Sequence, residues 1–190
     1  TASIIALVMS VSLPMTTYAA NWYLEDGSVT VNADNSGQPV TQGGGSAVPD
    51  EAPVITQRES SVETGNTIAI STSDNAAANV TIKDINIKSS NDAIDVKGSS
   101  SANITLEGDN KIFSETGSAL HVSDGNVTIN GSGSLKAEIQ DEPFGYNHNA
   151  KIGSHEKEDM SGSIHITGDA TVKTDDNIAP DCGGDGAGIG

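Results

Sequence analysis

Cysteine, aromatic residues, basic residues and long apolar runs are all scarce in this chain of 190 residues. The lone Cys182 excludes an internal disulfide and would leave a zinc site without a cysteine partner. Nine Lys and Arg against 26 Asp and Glu give a net charge of −17, which turns away nucleic acid and anionic membrane surfaces because both would repel the chain. Cations, basic proteins and neutral sugars remain as partners. Aromatics make up 3% of the chain, while Gly, Ser, Asn, Thr and Asp are plentiful. Nor is there an apolar run of the ~20 residues that a membrane-spanning helix needs. The run "IIALVMSVSLPM" at 4–15 is too short, and Thr17 and Ala19 behind it are small at the positions a secretory peptidase reads. Residues 1–19 are therefore expected to be a signal peptide. Neither an initiator Met nor a basic segment precedes it, so the sequence is expected to start inside the gene product. An exported, acidic, disulfide-free chain points to the bacterial surface or the extracellular space. No membrane insertion is expected after cleavage, and the chain is expected to be a monomer.

What the chain has is short apolar triplets. "NVTIKDINIKSSNDAIDV" at 79–96 places Val80/Ile82, Ile85/Ile87 and Ile94/Val96 on one face of three brief strands, because a strand alternates its faces residue by residue. The pattern recurs. "NVTI" at Asn79, "NITL" at Asn103 and "NVTI" at Asn126 align as successive repeats, each followed by two more apolar pairs. A shift of 37 lays the segment from Asn126 on the one from Ser163 without a gap: Val127 on Ile164, Ile129 on Ile166, Leu135 on Val172, Lys136 on Lys173 and Pro143 on Pro180. The added length falls in loops at 138–149 and 175–186. A unit of three strands cannot bury its apolar face alone, but stacked units satisfy each other's backbone groups and line a shared interior. The expected fold is all-β, a right-handed parallel β-helix of three short strands per coil over residues 66–190, incomplete at the C-terminus and prone to fray from about 163. Its interior should be lined by Val80, Ile82, Ile104, Leu106, Val127, Ile129, Ile164 and Ile166. Residues 20–65 read as an irregular N-terminal strand or cap, with 32–53 as a Gly/Pro-rich loop or linker.

The "WYLEDGSVTVNA", "PVITQ", "NVTIKDINI" and "GAGIG" stretches resemble repeat-bearing secreted proteins of gut-type Gram-positive bacteria, of the carbohydrate-binding-domain kind. The resemblance covers nearly all of the chain beyond the leader. It implies a surface-displayed β-helix that binds polysaccharide, with more coils downstream, and it names no catalytic residue.

Several residues are candidates for function. In the loop 140–151, Phe144 and Tyr146 suit stacking on sugar rings, while Asn147, His148 and Asn149 suit hydrogen bonds to hydroxyls. For calcium, which takes six to eight oxygens, the clusters are Asp175, Asp176, Asp181 and Asp185, and Asp92 with Asp95. Asn79, Asn103 and Asn126 head sequons but recur at one place in successive repeats, so a stacked amide ladder at a coil corner is expected of them. Catalysis is not expected. A lyase of the pectate type needs calcium-held carboxylates and a basic residue, and the one arginine, Arg58, lies in the irregular N-terminal part. The Asp92/Asp95 pair has no accompanying motif for a hydrolase. His121, His148, His155 and His165 read as scattered, exposed positions. A non-catalytic surface module that binds polysaccharide or a host glycan is the leading reading, with a polysaccharide-active enzyme and a structural stalk as alternatives. No cofactor is expected beyond calcium.

Overall fold

In a computed structural model, residues 19–73, 75–140, 149–158 and 161–174 are described. Among them there is no α-helix, only one 3-10 turn at Leu24–Asp26. The strands are β1 (Asn21–Tyr23), β2 (Val29–Ala33), β3 (Pro39–Gln42), β4 (Val48–Pro49), β5 (Val54–Thr56) and β6 (Ile68–Thr72). They continue with β7 (Ala77–Lys83), β8 (Asn86–Ser89), β9 (Ile94–Gly98), β10 (Ser101–Glu107), β11 (Asp109–Ser114) and β12 (Leu120–Val122). The last are β13 (Asn126–Gly131), β14 (Ser134–Ile139), β15 (Ile152–Gly153), β16 (Ser163–Ile166) and β17 (Thr171–Thr174). They form three sheets in the orders β1-β5-β7-β10-β13-β16, β17-β14-β11-β8 and β15-β12-β9-β6-β2-β3-β4. From β7 onward every pairing is parallel, and the chain visits first, second and third sheet in rotation. Each return to a sheet adds one strand beside the last, at the usual ~4.8 Å.

Alternation decides which side chains go inside. Within β10, Ala102, Ile104 and Leu106 are buried and the residues between them are not, and the same in-out pattern holds along β7 and β14. The inward residues of all three sheets join in one core. Each fully buried Ile or Leu stabilises it by about 1.5–3 kcal/mol. A carboxylate at Ile104 would be buried without a partner.

Register follows the sequence repeats with one correction. Asn79 pairs with Asn103 and Asn126 with Ser163, as the shifts of 24 and 37 require. Between those repeats, however, Asn103 pairs with Thr128 and Ile104 with Ile129, a shift of 25 where aligning the two Asn gives 23. A slip of two residues keeps every side chain on its face, so the interior set survives while its columns move. Gly131 permits this register. It lies beside Leu106 with φ of 105°, and a Cβ there would run into the Leu106 carbonyl. The amide ladder is correspondingly shorter: Asn103 Nδ2 donates to Asn79 Oδ1 at 3.0 Å, and Asn126 instead accepts from Ser163 Oγ at 2.8 Å. Asn79 and Asn103 stand mid-strand on the outer face, not at a corner.

The N-terminal part closes one end of all three sheets. Where a Gly/Pro-rich loop or linker is expected, β3 and β4 pair antiparallel beyond β2, and Val40 is buried. The buried Gln38 amide acts as a peptide group of an absent strand: its Oε1 accepts the Asn79 N–H at 2.7 Å, and its Nε2 donates to the Asn79 carbonyl at 3.0 Å. Thr64 and the Gln57 side chain do the same for β8 at Asn86. Buried Asp50 ties the cap together, accepting from Trp22 Nε1 at 2.9 Å and the Ala20 N–H at 3.1 Å. At the other end, Ile164 is half-buried and Ile166 is 41% exposed. β16 is the outermost described strand of its sheet, so these two sit on the predicted face but are not sealed like Val127 and Ile129.

The added length of the last repeat is split. Residues 140–151 separate β14 from β15, and 154–162 separate β15 from β16, against 115–119 and 123–125 one repeat earlier. A single longer loop is expected from the sequence; the second insertion is the one that builds the cluster described next.

Candidate functional site

Two places on the outside of the sheets gather chemistry. The first is a closed cluster on the third sheet. Register places Thr30, Ala69, Asp95, His121 and Gly153 in one outward column. Gly153 contributes no side chain above His121, and the His155 ring lies there instead, stacked on His121 at 3.9 Å between centroids and 10° from parallel. His121 is thus outward-facing yet only 3% exposed.

Every ring nitrogen of His121 meets a carboxylate: Nδ1 lies 2.8 Å from Asp95 Oδ1 and Nε2 lies 2.7 Å from Glu158 Oε2. His155 Nε2 lies 2.7 Å from Asp92 Oδ1, which also accepts the Ser118 N–H at 2.8 Å. Lys97 Nζ reaches Asp95 Oδ2 at 2.7 Å. Carboxylate oxygens at both nitrogens favour the imidazolium form of His121. Burial pushes its pKa down, but the Asp95 and Glu158 hydrogen bonds and the nearby Asp92 outweigh burial and raise it above the ordinary value. Burial likewise pushes the Asp95 carboxyl up, and His121 and Lys97 together pull it below its ordinary value. The hydrogen bond from His121 also lowers Glu158.

Asp92, His121 and His155 each offer a ligand atom within 4.8 Å of the others, the spacing of a metal centre. The arrangement does not suit one as it stands. A histidine ligates in the plane of its ring at about 2.1 Å, and two near-parallel rings 3.9 Å apart cannot both aim at one ion. A metal also needs neutral imidazole, whereas His121 is stabilised charged. General acid-base work is hindered in the same way, since the His121 nitrogens are engaged by Asp95 and Glu158. Arg58 is elsewhere, paired with Asp26 at 2.6 Å and lying over the Tyr23 ring. The cluster's evident work is to pin the 154–158 segment to the sheet.

The second place is an open groove of about 330 Å³ on the outer face of the second sheet, lined among others by Lys88, Lys111, Phe113, Lys136 and Glu138. Its columns are Asn86–Lys111–Lys136–Lys173 and Lys88–Phe113–Glu138. Phe113 shows part of its ring outward, with Lys88 Nζ 5.6 Å from the ring centre.

Only Asp92 and Asp95 among the residues singled out for sugar or metal belong to these places. Phe144, Tyr146, Asn147 and His148, proposed for sugar, and Asp175, Asp176, Asp181 and Asp185, proposed for metal, all lie outside the described residues. Asp92 and Asp95 do meet, though around imidazoles and not around a shell of oxygens. The expectation of scattered, exposed histidines holds for His165 and fails for His121 and His155. A signal was present: Asp95 and His121 are the middle residues of "IDV" and "LHV", so stacking those triplets puts acid beside imidazole. Among the described residues no helix is long and apolar enough to cross a membrane. No family model matches the chain, and neither a curated protein nor a solved structure matches it.

Proposed function

We propose that this chain is a right-handed parallel β-helix, exported to the bacterial surface or beyond, that binds polysaccharide without cleaving it. The rotation of the chain through three sheets, with parallel pairing from β7 onward, supports the architecture. The observation that carries the function is the groove over Phe113. A half-buried aromatic ring, Phe113, beside an ammonium group that recurs from strand to strand is chemistry suited to a chain of sugars. The repeat suits a repeating ligand. Against catalysis stands the closed cluster, whose acids and imidazoles face one another.

A glycan array with and without calcium, with chromatography of incubated polysaccharide alongside, tests the reading. Binding without new oligosaccharides is the expected result. Shorter or unsaturated products would make the protein an enzyme, and binding to no glycan would make it a stalk.

A further inference from the structure

In a protein of net charge −17, four of the eight lysines, Lys88, Lys111, Lys136 and Lys173, stand on the outer face of one sheet. Three of them form a single column in adjacent strands, so their Cα atoms step by ~4.8 Å. Like charges stacked this way repel one another across the strands. Glu138 answers Lys136 at 3.0 Å, and Glu63 lies 4.0 Å from Lys88. Asp109 stands on the same face but accepts from Ser134 Oγ at 2.8 Å. Lys111 and Lys173 are exposed and, among the described residues, have no carboxylate within ion-pair distance. Among the described residues, two of the three ammonium groups in this column are thus left without a counter-charge.

We propose that the outer face of the second sheet binds a linear polyanionic polysaccharide, a uronate or sulfated glycan, laid across the strands along Lys111, Lys136 and Lys173 with one sugar against Phe113. The proposal rests on the polysaccharide reading above and gives it a site and a ligand class. The strand step is close to the length of one pyranose, so an acid group on each sugar meets an ammonium on each strand. Lysine side chains are long enough to absorb the remaining mismatch. Phe113 lies beside the column and supplies an apolar face for a sugar ring. Because the lysines neutralise the acid groups directly, no calcium bridge is needed, although the rest of the protein is negative. Nucleic acid carries the same sign of charge, and the oligonucleotide arm of the test separates it from an acidic glycan.

The test uses the full chain and titrates polygalacturonate, heparin, a neutral galactan and a single-stranded oligonucleotide, each with and without EDTA, by calorimetry. Micromolar binding of the two acidic glycans, weaker binding of galactan and no effect of EDTA are expected. Lys111→Glu/Lys136→Glu should weaken acidic-glycan binding at least 100-fold. The milder Lys111→Gln/Lys136→Gln, checked for an unchanged circular-dichroism spectrum, should weaken it about tenfold and flatten its salt dependence. Retained affinity in both variants, loss of binding with EDTA, or equal affinity for the oligonucleotide would overturn the proposal. Galactan binding without acidic-glycan binding would overturn it and leave the polysaccharide reading standing; binding of no glycan would overturn both.

Discussion

Two columns of identical construction stand on different faces of this protein and have opposite fates. On the second sheet, Lys111, Lys136 and Lys173 repeat one charge from strand to strand; on the third, Asp95 is followed by His121. Strand pairing forces ladder neighbours to within ~5 Å, so opposite charges attract and like charges repel across each step. The alternating column has cancelled its charge enough to be roofed by His155 and Glu158, and His121 is nearly buried. The lysine column stays open to water. Parallel stacking of strands thus sets opposite charges together in one column, which is closed over, and like charges together in the other, which is left open.

Breaking the closed column has the largest expected effect. His121→Ala would leave Asp92, Asp95 and Glu158 facing one another with only Lys97 and His155 between them. Removing one partner of a buried pair costs about 3–5 kcal/mol, and the partial exposure of Asp95 and Glu158 places this case near about 3 kcal/mol. Lys111→Ala on the open column should change stability by less than about 0.5 kcal/mol. Urea unfolding of the two variants side by side measures the contrast, and equal losses would dissolve it.

The lysine column was half legible in the sequence, and the histidine cluster hardly at all. The 37-residue shift already lays Lys136 on Lys173, and the structure keeps that pairing. Lys111 joins only once the 25-residue register is known, and the repeated Asn residues point instead to a shift of 23. That misreading left the core list intact because a two-residue slip preserves the face, which is why Val80, Ile82, Ile104, Leu106, Val127 and Ile129 are all buried. The cluster depended on something periodicity does not encode. His155 and Glu158 lie in an insertion with no counterpart in the repeats before it, and their place over His121 is set by the fold of that insertion, not by a strand pattern. The cap was missed for a related reason: Gln38 and Gln57 imitate backbone with side chains, and a composition rich in Gly and Pro hides it.

Charge on the closed column should also respond to pH, with a smaller effect than deletion. His121 has a raised pKa in the folded protein, so its contribution is complete below the unfolded value near 6.5 and fades as pH rises through the folded value. Asp95 and Glu158 are lowered, so theirs is complete above the unfolded values near 4 and is lost as pH falls through the folded ones. The cluster is strongest in the mildly acidic window between. Melting temperature followed from pH 3 to 9 should therefore decline above neutrality in the native protein relative to His121→Gln, while the lysine variants run parallel to native. A native-minus-variant difference that stays constant above pH 6 would show that His121 is not charged in the fold. Glu158→Gln should act more locally. Loss of the charge on one hydrogen bond costs about 1 kcal/mol, and hydrogen exchange should quicken over 150–158 while β10 and β13 remain protected.

The smallest effect is the one that separates the two columns most sharply. Lys111→Glu places a carboxylate directly opposite Lys136 and diagonally from Lys88, giving one step of the open column the opposite-sign pairing of the closed one, while Lys136 and Lys173 stay adjacent. Lys and Glu are both poor strand formers, so intrinsic preference changes little. The gain from a cross-strand ion pair is about 0.5 kcal/mol at an exposed site, and it is offset in part by the added negative charge of the whole protein and by salt. Stability should therefore rise slightly, by about 1 °C at low ionic strength, while affinity for an acidic glycan falls. Residues that serve the fold lose stability when replaced, and residues that serve a ligand can gain it. If Lys111→Glu destabilises the protein, the lysine column is holding the sheet together and the distinction between the two columns fails.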